Sequence, residues 1–224
     1  MREVEKSKKI WHPDGVEWSA LTGKGIDIGP ADSPVTADAR PFDLEHGDAN
    51  VITRYVTELY DFVYSSHSLE HMHDPREAIM EWWKLVKPGG YLFFTVPDED
   101  LYEQGVFPSR FNPDHKATFT ISKTHSWSPV SISVYELAQS LPAGTVRSIE
   151  LQDHGYDRTV LTFGARTHAN AVMRSLIRAY DGGKRRGWFS SKSIEQFFLR
   201  YRAIDQTGYA DVLAQIQCIV RKEP

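Results

Sequence analysis

Residues 65–75 read SSHSLEHMHDP and place His67, Glu70, His71, His73 and Asp74 within eight positions. Imidazoles and carboxylates at that density suit metal ligation, or proton handling beside a bound cofactor. His67 and His71 stand four apart, the spacing that puts two rings on one helical face in zinc proteases. Here the order is H-S-L-E-H, with Glu70 beside the second histidine, and helix signals begin only at Asp74. His67 is therefore expected at a strand end, where its ring need not meet that of His71. Glu70, His71 and His73 read as a solvated or capping turn, and no metal site is expected. A second group sits in the long polar and aromatic stretch 97–129, which holds His115 and His125 among Tyr102, Arg110, Asp114, Lys116 and Trp127. A loop of that length in a compact domain usually carries function. A third stretch, IDIGPADSP (26–34), has Gly29 for one close backbone approach and Asp27 as a carboxylate for an ammonium. It lacks the three glycines of a pyrophosphate cradle, and Pro30 has no N–H, so a nicotinamide or flavin site is disfavoured.

The elements that must hold these groups follow from local pattern. KGIDIG (24–29) reads as a short strand ending at a glycine. LYDFVYSS (59–66) and YLFFTVP (91–97) are apolar runs without clean alternation, as strands covered on both faces should be. Between them Asp74 is placed to cap a helix, Pro75 to open it, and Glu77 to complete a capping box. Ile79, Trp82, Trp83 and Val86 recur at helical spacing, and KPGG (87–90) should stop the helix. This is a parallel βαβ unit. A helix over 131–141, strands over 145–152 and 213–222, and a basic, aromatic helical insertion over about 165–204 with a break at 181–187 complete the reading.

Composition narrows the function classes. The chain has 224 residues and a net charge of −4, which argues against a phosphate-backbone binder and fits a single domain over 1–224. The single cysteine, Cys218, lies in the apolar run IQCIV and reads as a buried, inert thiol. There is no signal-like leader and no run of 18 apolar residues, so a cytoplasmic protein without a transmembrane segment is expected.

GIDIGPADSP, then GDAN (47–50), then YDFVYSSHSLEHMHDPREAIMEWWKLVKPGGYLFFTVP (60–97) resemble the class I S-adenosylmethionine-dependent methyltransferases. The resemblance is strong over roughly residues 20–100 and weak at the last strand. It implies an α/β fold: a Rossmann-like seven-stranded sheet with helices on both faces, the last strand inserted antiparallel. It implies S-adenosylmethionine as cofactor. Asp27, Gly29 and Pro30 match the motif around the methionine moiety. Asp48 and Ala49 match the residues set against the adenine. Ser66 and His67 match the strand end beside the cofactor and the substrate mouth. The ribose acid falls to Asp43 or Asp38, with Asp43 preferred. Ala31 and Ser33 stand where the family has glycines, and the second βα unit is compressed. The implied activity is methyl transfer to a hydroxyl of a small molecule or glycan-type acceptor, with a small amine, or an inactive methyltransferase-like binding protein, as alternatives. A hydroxyl acceptor needs a base, for which His115 and His125 are the catalytic candidates and Asp98 a further one. Arg110, Lys116 and the aromatic wall would hold a polar acceptor. The insertion is free to cap the site or form a homodimer face.

Overall fold

The computed structural model of the protein describes residues 2–161, 163–164, 171–188, 191–199, 201 and 203–224. Helices α1 (Glu3–Ile10) and α2 (Val16–Ala20) precede strand β1 (Gly25–Ile28), β2 (Arg40–Phe42) and β3 (Tyr60–Ser66). Helix α3 (Pro75–Lys84) leads into β4 (Val86–Pro97), and two short strands follow, β5 (Thr118–Thr120) and β6 (Ser131–Ser133). Then come α4 (Val134–Gln139), β7 (Gly144–Gln152), α5 (Ala171–Arg185), α6 (Lys192–Leu199) and β8 (Gln215–Lys222).

The main sheet has the order β2-β1-β3-β4-β8-β7, and β5 pairs with β6 in a small parallel sheet of its own. Strands β2, β1, β3 and β4 are parallel; β8 runs antiparallel between β4 and β7. The chain moves from β1 outward to β2 and returns to the other side of β1 as β3. The carboxyl ends of β1 and β3 therefore flank the switch in strand order where α/β sheets bind ligands.

Six strands form the main sheet among the described residues, where seven were expected. Among them no further strand pairs outside β2, and between Phe42 and Tyr60 the chain forms no strand. Asp48 caps a 3-10 helix at Ala49–Arg54 by accepting from the Asn50 amide, and few residues remain before β3 begins. The compressed connection from β1 to β2, residues 29–39, likewise contains no helix.

Alternate side chains explain the uninterrupted apolar strands. Val63, Leu92, Phe94, Cys218 and Val220 face one core with Ile79, Trp82 and Trp83 of α3 and Leu137 of α4. Phe62, Tyr64, Phe93 and Ile219 face another core with Val4, Trp11, Ala20 and Leu21 of the N-terminal helices. Those two N-terminal helices had no signature in the sequence reading. Burial raises the Cys218 thiol.

Asp74 caps α3 as expected, accepting from the Arg76 and Glu77 amides at 2.8 and 3.3 Å, with Pro75 at the first helical position. Three boundaries differ from expectation. KPGG opens β4 rather than ending a helix, because the pairing to β3 slips between Tyr60 and Phe62 and a bulge absorbs Pro88 and Gly89. The helix expected over 131–141 starts at Val134, since Ser133 ends β6 and caps the helix through the Glu136 amide. The break expected at 181–187 moves to its end. Gly187, at φ +75°, closes α5 while the Trp188 amide reaches back to the Gly183 carbonyl at 3.0 Å. Of the insertion, residues 165–170, 189–190, 200 and 202 lie outside the described residues.

Asp74→Ala removes both cap acceptors while leaving the helix face intact. It is expected to cost about 1 kcal/mol in urea unfolding. A loss within error of zero would show that the cap does not hold this end of α3.

Candidate active site

The tips of β1, β2 and β3 carry two clefts that share Gly29. The smaller, about 190 Å³, is lined by Asp27, Gly29, Pro30, Tyr64, Ser66 and His67. Asp27 is 1% exposed. Its Oδ2 accepts from the Val35 amide at 2.7 Å, while Oδ1 is buried without a hydrogen-bond partner. The Tyr64 hydroxyl is also buried and unpartnered. Burial pushes the Asp27 carboxyl up to about 7. An orphan carboxylate oxygen at a strand tip is the group an amino-acid ammonium would satisfy.

The larger cleft is about 520 Å³, with Asp43, Gly47, Asp48, Ala49, Ser68 and Met72 among its lining residues. Asp43 follows β2 directly and its Oδ1 faces the Ala31 amide at 3.4 Å. Asp38 is exposed and lines neither cleft, so of the two ribose candidates only Asp43 stands in place. Asp48 lines the cleft and also serves as the cap of the 3-10 helix. Gly29 has φ +78° and a Cβ there would meet Ser68 Oγ at 2.1 Å, so the turn after β1 requires glycine. Ala31 and His67 also hold left-handed φ values, +51° and +53°. Ala31 thus takes the conformation that a glycine would adopt at no cost, which is how the loop keeps its path without one.

Against these clefts lies a cluster that the sequence reading assigned to a turn. Glu70, in a 3-10 turn at Leu69–His71, is 1% exposed, and neither carboxylate oxygen accepts a hydrogen bond. Three imidazoles surround it. His67 Nδ1 lies 3.5 Å from Glu70 Oε1, His71 Nε2 3.9 Å and His115 Nε2 4.0 Å. Each ring is held at its other nitrogen: His67 Nε2 by Gln215 Oε1 at 2.7 Å, His71 Nδ1 by Asp114 Oδ2 at 2.9 Å, and His115 Nδ1 by Glu103 Oε1 at 2.6 Å. Burial, the largest effect on His67, pulls it down. The Glu70 carboxylate close by outweighs burial and holds the ring up at about 9. Burial raises the Glu70 carboxyl, and the histidines, His67 first, more than reverse this and hold it below the usual range.

The loop bearing His115 is fastened to this turn through backbone. The Lys116 amide donates to the Glu70 carbonyl at 2.8 Å and Lys116 Nζ to the His71 carbonyl at 2.6 Å. His115 stacks on Tyr102 with centroids 5.2 Å apart and meets His71 edge-on at 5.0 Å. His71, Asp114 and Lys116 line the larger cleft, whereas His115, 5% exposed, stands behind them. His125 is exposed and lines neither cleft. Asp98, pushed up to about 6 by burial, accepts from the Asp100 and Leu101 amides as the cap of the turn Glu99–Glu103. Its carboxylate is thereby committed to structure. Glu70, His71 and Glu103 were missed as site residues; the H-x-x-E-H spacing was visible, but not the turn that folds it inward.

Residues 9–128 match the family described as a methyltransferase domain. The chain belongs to the class I S-adenosylmethionine-dependent methyltransferase family. Among curated proteins it is similar to the ubiquinone biosynthesis O-methyltransferase of Pectobacterium carotovorum, 38% identical over 83 residues that cover 32% of each chain. It is also similar to that of Cronobacter sakazakii, 36% identical over 80 residues, again 32% of each. The matches thus span about a third of these relatives' length. A putative methyltransferase of Bacillus halodurans shares the fold, with a TM-score of 0.50 and 10% identity over 93% of this chain and 97% of that one. Among the described residues no helix is long and apolar enough to cross a membrane.

S-adenosylmethionine is the family's cofactor, and the orphan Asp27 oxygen and the paired clefts fit its ammonium and its nucleoside. The buried carboxyl supplies a pH test. Its folded pKa of about 7 lies above the unfolded value of 3.8, so the folded state holds the extra proton. Stability should therefore fall as pH rises from about 4 to 7 on this account. Asp27→Asn should melt higher than wild type at pH 8 and the same at pH 3.5, yet bind S-adenosylmethionine at least about tenfold more weakly at pH 8. Unchanged affinity would remove Asp27 from the ammonium site.

Proposed function

We propose that the chain transfers the methyl group of S-adenosylmethionine to a hydroxyl of a small-molecule or glycan-type acceptor. The observation that carries this reading is the histidine cluster at the wall of the larger cleft: His71 lines that cleft, with His115 and Glu103 directly behind. When bound, the cofactor supplies a methyl already activated by a positive sulfur. The residues around it have to align the acceptor oxygen behind that methyl, and alignment alone supplies roughly 7–11 kcal/mol. A hydroxyl must also lose its proton, and a positioned base contributes about 10²–10⁴ in rate.

The cluster is built for that proton. The Glu103 carboxylate accepts from His115 Nδ1, which fixes the tautomer and leaves Nε2 as the basic nitrogen, facing Glu70 and His71. In the simplest form of the reaction the acceptor oxygen bonds to the methyl carbon, the carbon–sulfur electron pair returns to sulfur, and the hydroxyl proton is taken up at an Nε2 lone pair of the cluster, His115 being the base proposed and His71 the ring at the cleft wall. Lys116 and Asp114, at the mouth beside His71, offer a cation and an anion to a polar acceptor. The curated relatives are named for O-methylation, which supports oxygen over nitrogen.

Labelled cofactor offered to pooled hydroxylated and amine acceptors should place label in ether products; label in the amine fraction alone would overturn the oxygen assignment. His115→Ala should lower kcat by about 10²–10⁴ while the Kd for S-adenosylmethionine stays within about threefold, under 1 kcal/mol. Equal losses in both would remove His115 from proton transfer.

A further inference from the structure

We propose that Glu70, His71 and His115 form a binding site for a divalent transition-metal cation at the wall of the cofactor cleft. One ligand atom from each lies within 4.8 Å of the other two. What makes the group more than a collection of titratable side chains is the direction of its lone pairs. Asp114 and Glu103 are acceptors, so the imidazole nitrogens they contact, His71 Nδ1 and His115 Nδ1, carry the hydrogens. The two Nε2 atoms therefore present lone pairs, and both point at Glu70, itself an acceptor, from 3.9 and 4.0 Å. Three acceptor atoms converge, and the nearest donor is His67 Nδ1, 3.5 Å from the same Glu70 oxygen. Water can relieve such a site in part; a cation relieves it completely.

The surroundings match what a metal site requires beyond its ligands. Metal-bound histidines donate their other N–H to a carboxylate or carbonyl, and bound carboxylates are themselves hydrogen-bonded. His71 and His115 have Asp114 and Glu103 in that place, and the same Glu70 oxygen has His67 Nδ1 beside it at 3.5 Å, with His67 held by Gln215. A second buried carboxylate in the same region shows the contrast. Glu99, fully buried, accepts from Thr118 and Ser131 hydroxyls at 3.1 and 2.6 Å, from Ser126 at 2.8 Å and from Lys123 at 2.9 Å. The fold can satisfy a buried glutamate fully, and leaves Glu70 open.

Two imidazoles and a carboxylate select Zn²⁺, Mn²⁺, Fe²⁺ or Co²⁺ over Mg²⁺ and Ca²⁺, which prefer oxygen alone. Metal–ligand distances of about 2.0–2.2 Å place the ligand atoms about 3.3–3.5 Å apart in a tetrahedron, so the separations, now 3.9 to at most 4.8 Å, close by about 0.5–1.5 Å on binding. Three protein ligands leave a position open, and His71 lies where the cleft begins. Resting on the hydroxyl reading above, the metal-loaded site would assign the cation the acceptor oxygen, whose proton leaves to solvent, so that His71 and His115 are ligands when the metal is bound and the proton acceptors described above when it is not.

The test is direct. The full chain is stripped with EDTA, titrated calorimetrically with ZnCl₂, and examined by visible absorption with Co²⁺. One equivalent of Zn²⁺ and a Co²⁺ spectrum carrying nitrogen ligation are expected. His71→Ala, a half-exposed position that folding should tolerate, should weaken Zn²⁺ at least 100-fold, and Glu70→Gln likewise. Zn²⁺ binding unaffected by His71→Ala, binding of Mg²⁺ alone, or no Zn²⁺ binding at millimolar concentration overturns the site. Full ether formation in EDTA also overturns its part in the reaction while leaving the hydroxyl reading standing. A metal-loaded protein that methylates only amines sinks the hydroxyl reading and leaves the site standing.

Discussion

Placing a carboxylate where water cannot reach it and no donor touches it costs several kcal/mol unless opposite charge or a cation offsets it. Glu70 is such a group, 1% exposed with both oxygens unpartnered. Around it the protein gathers three imidazoles from two distant stretches of chain and ties each ring to a further element: His67 to β8 through Gln215, His115 to the turn after β4 through Glu103, His71 to the loop at Asp114. The path of the chain between β4 and β5 makes sense only with this constraint in view. The amide and side chain of Lys116 draw that loop onto the turn at 69–71, and Tyr102 stacks on His115 from the other side.

The same junction sets the clefts. Ser66 and His67 end β3 at the switch in strand order, and the left-handed backbone of His67 turns the chain from the sheet into the Glu70 turn. His67 lines the smaller cleft with one face of the junction, and His71 lines the larger with the other. From Gln215 a buried chain of amides continues through Gln152 to Gln217, which accepts from Trp11 Nε1 at 2.8 Å. A tilt of His67 is thus opposed by β8, β7 and the N-terminal helices together. Proton-handling groups held this way keep their geometry when the acceptor arrives, which is what alignment-driven catalysis requires.

Much of the fold was legible because its signals are local. The capped helix after Asp74, the apolar strands at 59–66, 91–97, 145–152 and 213–222, and the glycine at the end of β1 each depend on neighbours a few residues away. The misses are places where distant contacts decide. Among the described residues the main sheet has six strands, and the segment Ala49–Arg54 is a 3-10 helix capped by Asp48. Helices α1 and α2 are defined by the apolar face of the sheet they cover, with Trp11 against Phe93 and Leu21 buried beneath. The stretch SSHSLEHMHDP reads in sequence as strand end, solvated turn and helix cap. Its first and last parts hold, but the middle turns inward, because Leu69 is fully buried and carries Glu70 with it. His115 stood out as a histidine between charged neighbours; that it would sit beside Glu70 depends on two hydrogen bonds across 45 residues that no local pattern announces.

A crystal structure with S-adenosylhomocysteine tests the central claim, that the clefts joined at Gly29 hold the cofactor beside the histidine cluster. The account predicts the amino group within hydrogen-bonding distance of Asp27 Oδ1, the ribose hydroxyls at Asp43, the adenine between Asp48 and Met72, and the sulfur turned toward Glu70 and His71. A ligand seated elsewhere, or seated here with its sulfur directed away from the cluster, would contradict it.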